Sequence, residues 1–342
     1  MRLILRVLTV LCLGLVGSQA TAFEVPPPHP AYLLVGNKGD NTISFIDLET
    51  GREVARRPVS GAAPHEIAVS SFGDIAAVVN YGGASIDMFS VRYQRSFRTI
   101  DLGENKNPHG IVALKNGDFI ATTEGGNSIV RLNFEVFGNR MPREKKWVVS
   151  SIPTKQSGTH MVAVSPDERF AYTANMQSGT VSKIELETEQ VFSVPAGREV
   201  EGIAVTKDGS EVWASVRGEN KVVIFDATSL EHLAEIPVGK FPLRIIVSPD
   251  GKNMVTSNLV DGTVSVIDVE SREVERTIRV SGSAETRQVT LLFNQDGSRL
   301  YVAETGANKI AEIDFESGEV IGRLSGGEQG DGLAIVPAYT WD

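Results

Sequence analysis

Apolar residues along this chain come in short alternating runs, not in the i, i+3, i+4 spacing of helices. The run Ile245-Ile246-Val247 ends at Ser248-Pro249-Asp250-Gly251. A second run, Asn253–Asn258, follows, and then Gly262-Thr263-Val264-Ser265-Val266-Ile267-Asp268. The same grammar returns at 162–184, 203–226 and 289–314, and in most units a fourth run follows, such as 273–280. Alternating β-branched residues predict strands, and Pro-Asp-Gly or Lys-Asp-Gly steps predict tight turns between them. Four strands in a period of about 40–45 residues predict the blades of a propeller.

The residue two before the first Ile, Val or Leu of each inner strand gives an aligned column. It reads His65, His109, His160, Glu201, Leu243, Arg287 and Asp331, with spacings of 44, 51, 41, 42, 44 and 44. Seven anchors predict seven blades, and the long interval contains an insertion at 134–146. The C-terminus supplies one strand (333–336), whereas the N-terminal part begins mid-blade with 32–35 and 41–48. Together these complete one blade and leave no open sheet edge. The expected fold is all-β: a single seven-bladed β-propeller of four-stranded blades, closed by pairing N- and C-terminal strands. It would span residues 23–342, with 23–30 as a proline-rich leader.

The repeats resemble the YVTN (YncE-like) family across residues 23–342. The resemblance rests on Asn41-Thr42-Ile43-Ser44-Phe45-Ile46-Asp47, on 262–268, and on the strand-ending Asn37, Asn80, Asn175 and Asn258. It implies the propeller fold; it does not choose a function, because propellers host many.

The first residues read as an export signal, residues 1–22: Arg2 and Arg6, an apolar stretch from Leu3 to Val16, and Ala20-Thr21-Ala22 as a cleavage site. The stretch is short for a membrane span, and Leu11 before Cys12 does not suit lipidation. A periplasmic, monomeric protein without a membrane span is expected. Cys12 is the sole cysteine, so the exported protein would have no disulfide, no thiolate metal site and no covalently attached haem. A net charge of −10 disfavours nucleic acid and anionic lipid as partners. The short basic cluster Arg143-Glu144-Lys145-Lys146 reads as a solvated loop.

Equivalent positions of successive inner strands form a ring around a propeller's channel. Of five histidines, three fall in one column, which singles out His65, His109, His160 and Glu201. His29 and His232 align with nothing and read as solvent-exposed. The next column is Glu66, Gly110, Met161, Gly202, Arg244, Gln288 and Gly332, where the glycines would leave room for a ligand. The ends of the second strands add Tyr81, Glu124, Arg217 and Glu304.

Three accounts of this ring stay open. His65, His109, His160 and Glu201 could bind a divalent transition metal, zinc or copper. Alternatively, His109 or His160 with Glu201 could supply acid/base groups, while Arg217, Arg244 and Arg287 hold an anion and Glu66 and Asp331 orient the others. This equipment resembles that of the lactonase and muconate-cycloisomerase propellers, and Pro108-His109-Gly110-Ile111 resembles streptogramin lyases. The resemblance implies a hydrolase or lyase. A non-covalent haem, as in the nitrite reductase propeller, is a minor alternative. In the third account the ring is structural, an Asp331–Arg287 ion pair included, and the protein is a scaffold that binds a periplasmic protein. A binding or interaction propeller with a ligand- or metal-binding site at the channel mouth, its partner a small molecule or a periplasmic protein, is the leading expectation, and a metal-dependent or lactonase- or lyase-like enzyme the alternative.

Overall fold

A computed structural model describes residues 29–133 and 148–339. The expected signal, most of the leader, the 134–146 insertion, its basic cluster, and Trp147 and Trp341 lie outside the described residues. Seven antiparallel sheets of four strands each are present. Their innermost strands are Gly330–Val336, Pro64–Val69, Pro108–Ala113, Thr159–Val164, Val200–Val205, Pro242–Val247 and Gln288–Phe293, here blades 1 to 7. Each inner strand contacts the next, and the seventh contacts the first. Blade 1 is the composite predicted from the sequence: Gly330–Val336 pairs with Tyr32–Asn37, with Leu34 opposite Ala334.

Middle strands are buried on both faces because each blade is sandwiched between two others. Ile75–Asn80, for example, is buried at every position. The apolar residues accordingly form seven clusters, one at each blade interface. Trp213 is fully enclosed in the cluster between blades 5 and 6. Outer strands meet water, and several carry a bulge that places Val54, Phe97, Leu233 or Ile321 outward. Such bulges twist an exposed edge and discourage pairing with another chain.

One leader residue is anchored. His29 exchanges backbone hydrogen bonds with Tyr339, at 3.0 Å each way, and its ring stacks between Tyr32 and Tyr339. It is therefore half-buried rather than free in solvent. His232 is exposed, as its lack of aligned partners suggested.

The inner strands pack so tightly that their glycines are steric necessities. A Cβ on Gly332 would lie 1.8 Å from the His65 carbonyl oxygen, and one on Gly202 would lie 2.5 Å from that of Leu243. The space expected for a ligand at Gly110, Gly202 and Gly332 is instead filled by the neighbouring blade's backbone. Gly332→Ala should cost at least about 1–3 kcal/mol in urea unfolding. Gly83→Ala, with nothing within 4 Å of the new methyl, should be close to neutral in the same assay.

Candidate functional site: a charged cup at the channel mouth

Two backbone devices aim side chains into the mouth. Each inner strand has a bulge near its start; in blade 2, Pro64 faces Asn80 and Ile67 faces Val78, so His65 and Glu66 together oppose one residue. The same irregularity recurs in all seven blades. A bulge breaks strict alternation and re-aims side chains, so both columns contribute to one site. Before each bulge stands a residue at positive φ: Ala63, Asn107, Gly158, Glu199, Phe241, Arg287 and Gln329. Six of these seven are not glycine, a strained choice for an L-residue. In four blades an asparagine carbonyl holds the turn, accepting from the backbone N–H of Ala63, Gly158, Phe241 or Gln329 at 2.7–2.9 Å.

This register corrects one part of the sequence alignment. Gln288 faces Glu304 as Pro64 faces Asn80, so blade 7 places Val289 and Thr290 in the two columns. Arg287 belongs to the positive-φ column and is exposed. It is not an anion contact within the mouth, and Asp331 pairs with Lys38 and His65 instead of with it. Val289 was mistaken for the start of the apolar run, which begins at Leu291. Glu304 likewise occupies the strand-ending asparagine position and pairs with Arg323 at 2.7 Å. The true column after those strand ends is Lys38, Tyr81, Glu124, Met176, Arg217, Leu259 and Thr305. Lys38 went unnoticed, although it follows the strand-ending Asn37.

Arg244 closes the bottom of the mouth. From blade 6 it reaches across to Glu66 of blade 2, donating from Nε at 3.0 Å and Nη2 at 2.8 Å, and gives Nη1 to Glu201 Oε1 at 3.0 Å. It is 4% exposed, so the mouth is a cup with a charged floor. Glu201 also accepts from Arg217 Nη1 at 2.7 Å and faces His160 Nε2 at 2.9 Å. His160 Nδ1 lies 3.3 Å from Glu124. Around the wall, the His160 and His109 ring centroids are 3.7 Å apart, and those of His109 and His65 are 4.2 Å apart. Tyr81 stacks on His65, whose Nδ1 sits 3.0 Å from Asp331 Oδ2, an ion-pair distance without hydrogen-bond alignment. Lys38 Nζ reaches the same oxygen at 2.8 Å.

Burial alone would lower the pKa of His160, but the charge of Glu201 and hydrogen bonds to Glu124 and Glu201 raise it above its ordinary value. For His109, burial works with the charges of His160, His65 and Arg244, holding the ring well below its ordinary value and neutral at pH 7. Burial would raise Glu201, yet His160, Arg244 and Arg217 hold it far below the carboxylate range. Asp331 is likewise held low by His65 and Lys38 against its burial. Arg244 is held charged by Glu66 and Glu201 despite its own burial. Burial, the Glu124 charge and a hydrogen bond to Glu124 push the Tyr81 phenol up to about 12.

These contacts decide among the chemistries expected of the column. Among the described residues, no three His, Cys, Asp or Glu side chains converge where a metal ion could sit. The rings of His65, His109 and His160 pack against one another, and both His160 nitrogens face carboxylates. The expected His65–His109–His160–Glu201 zinc or copper site therefore lacks its geometry. Glu201, with both oxygens engaged, is a poor base. His109 is different. It is 2% exposed, and its Nδ1 has no partner in the structure.

A ring of seven four-stranded blades with a polar cup over its channel defines the class as a seven-bladed propeller. Residues 31–281 match the family described as lactonase, 7-bladed beta-propeller, and the chain belongs to that family. It is 25% identical over 184 residues to Protein NirF of Pseudomonas aeruginosa, covering 51% of this chain and 46% of that protein. It is 22% identical over 258 residues to Antigen Lp49 of Leptospira interrogans, covering 70% and 55%. The chain thus spans about half the length of the curated relatives it matches. Among solved structures, Kuenenia stuttgartiensis hydrazine synthase superposes with a TM-score of 0.69 at 17% identity, covering 88% of this chain and 99% of that one. Dihydro-heme d1 dehydrogenase NirN in complex with DHE gives 0.61 at 15% identity, covering 92% and 78%. A streptogramin B lyase gives 0.65 at 14% identity, covering 91% and 88%. At these identities the structural likenesses show the fold alone.

Two tests follow from the floor and its histidine. Arg244→Met should cost about 3–5 kcal/mol in urea unfolding, because Glu66 stays buried without its cation and Glu201 keeps only Arg217 and His160. Adding Glu66→Gln should recover part of that loss. The raised His160 contributes stability that is whole below its ordinary value of 6.5 and is lost as pH rises through the raised one. Unfolding free energy should therefore fall as pH rises above 6.5, by at most about 1.4 kcal/mol per pH unit from this group. His160→Asn should remove that part of the slope.

Proposed function

We propose that this protein is an exported, periplasmic propeller of the YVTN (YncE-like) kind that binds a small molecule in the cup. His65, Tyr81, His109, Glu124, His160 and Arg217 would form its polar wall, with Glu66, Glu201 and Arg244 as the floor. The export signal at 1–22 and the single domain at 23–342 belong to this proposal. Among the described residues, no helix is long and apolar enough to cross a membrane. The observation that carries it is the Nδ1 of His109, which is buried in the mouth and has no hydrogen-bond partner. Buried polar atoms are almost always satisfied, and exceptions mark places where another group belongs. Dihydro-heme d1 dehydrogenase NirN, a protein of similar fold, is in complex with DHE.

Thermal shift of the wild-type protein and of His109→Ala against a metabolite library tests this. Compounds should stabilise the wild type by several degrees and leave the folded variant unmoved. Equal responses of the two proteins would remove His109 from any site.

Membership of the lactonase family favours a second reading, a hydrolase in which neutral His109 takes a proton from water. In that case a panel of lactones should be turned over, and His109→Ala should slow the reaction by about 10²–10⁴-fold without unfolding the protein. Uniform inertness toward lactones would leave binding as the role.

A further inference from the structure

The cup is two-sided, and its polarity is layered. Three of its carboxylates, Asp331, Glu66 and Glu201, are buried, and the fourth, Glu124 on the wall, faces His160. The cations above them are the accessible groups, with Lys38 side-chain exposure at 24% and that of Arg217 at 21%. Lys38 contacts Asp331, which leaves ammonium hydrogens free. Arg217 gives its terminal nitrogens to Glu201 and Glu199 and lies over the Phe241 ring, but its Nε finds no acceptor. With His109 Nδ1, this makes two nitrogens in the mouth without a partner. The remaining orphan atoms there, His65 Nδ1 and Asp331 Oδ2, face each other.

Blades 6 and 7 are different. In the positions that blades 1 to 5 fill with Asp331, His65, His109, His160 and Glu201, they carry Leu243 and Val289. Where blades 1 and 5 place Lys38 and Arg217, blade 6 places Leu259. Val289 and Leu259 are partly exposed. The mouth therefore presents donors and cations on one arc and hydrocarbon on the other.

We propose that the cup takes an amphipathic organic monocarboxylate. Its oxyanion meets the arc of Lys38, His109 and Arg217, and its hydrocarbon part lies along Leu243, Leu259 and Val289. This rests on the small-molecule reading above and names the ligand's class. Charge-assisted hydrogen bonds from lysine and arginine suit a carboxylate, and the leucine arc rewards added methylenes. The deep acids and Glu124 are each turned to a cation or to His160, and Lys38 and Arg217 remain the accessible charges that an anion can meet inside the cup.

The test is titration calorimetry on protein recovered after expression of the full chain, with acetate, butyrate, hexanoate and octanoate, and with hexanamide and hexylamine as uncharged and cationic counterparts. Affinity should rise by up to about fourfold per methylene, and hexanamide should bind at least tenfold more weakly than hexanoate. Lys38→Met should narrow the gap between acid and amide, Lys38→Arg should preserve it, and Leu259→Asn should flatten the chain-length trend. Circular dichroism would confirm that each variant is folded. Hexanamide or hexylamine binding as well as hexanoate would overturn the carboxylate assignment while leaving small-molecule binding in place. No binding of any probe would also overturn it. If, in addition, the metabolite library yielded no His109-dependent compound, the binding function would fall with it.

Discussion

The strand Tyr32–Asn37 hydrogen-bonds to Gly330–Val336, from the opposite end of the described chain, and the contacts around the channel presuppose that pairing. Without it, six blades would form an open arc with an unpaired edge at each end. With it, Asp331 arrives beside Lys38 and His65, which belong to the second strand of the same blade and the inner strand of the next. The floor then forms between blades 2, 5 and 6, because closure fixes the distance that Arg244 must span. Fold and candidate site thus share one constraint: every inner strand must approach its neighbours closely enough that Gly202 and Gly332 have no room for a side chain.

Close approach alone does not account for what lines the mouth. A propeller's stability comes from its blade interfaces, and here seven apolar clusters supply it. Burying an arginine, three carboxylates and three imidazoles at one end of the channel adds little that apolar residues could not supply, since desolvation offsets most of the Coulomb gain. The groups are arranged so that all but a few atoms are satisfied. His160 lies between Glu124 and Glu201, and Arg244 between Glu66 and Glu201. Left over are a neutral His109 and the Nε of Arg217. These open nitrogens within a network that is otherwise nearly complete are what the small-molecule proposal rests on.

Much of this was legible from spacing. Period, blade number, the closing blade and the column of His65, His109, His160 and Glu201 follow from repeats and turn residues, because each blade buries the same pattern against the next. The failures are equally physical. Arg287 was aligned by the first β-branched residue, but the register of blade 7 is set by its bulge, which shifts the column to Val289. Lys38 follows the strand-ending Asn37 and so belongs to the same column as Tyr81, but its importance comes from Asp331, a residue distant in sequence. The glycines were taken for open space, whereas neighbouring backbone fills it. Three histidines in one column suggested a metal, but ring packing and the paired nitrogens of His160 do not leave ligands that converge.

What the sequence determined by itself is the fold and most of the residues that share the mouth, since both depend on local periodicity and on turns encoded by adjacent residues. What the tertiary structure decided is how those residues are paired: which carboxylate meets which cation, which imidazole is drawn toward its charged form and which away from it, and that Arg244 closes the channel beneath the mouth. Those outcomes depend on distances between blades and on burial. They arise only when strands far apart in sequence are brought within a few ångströms and water is excluded, and no spacing along the chain carries that information.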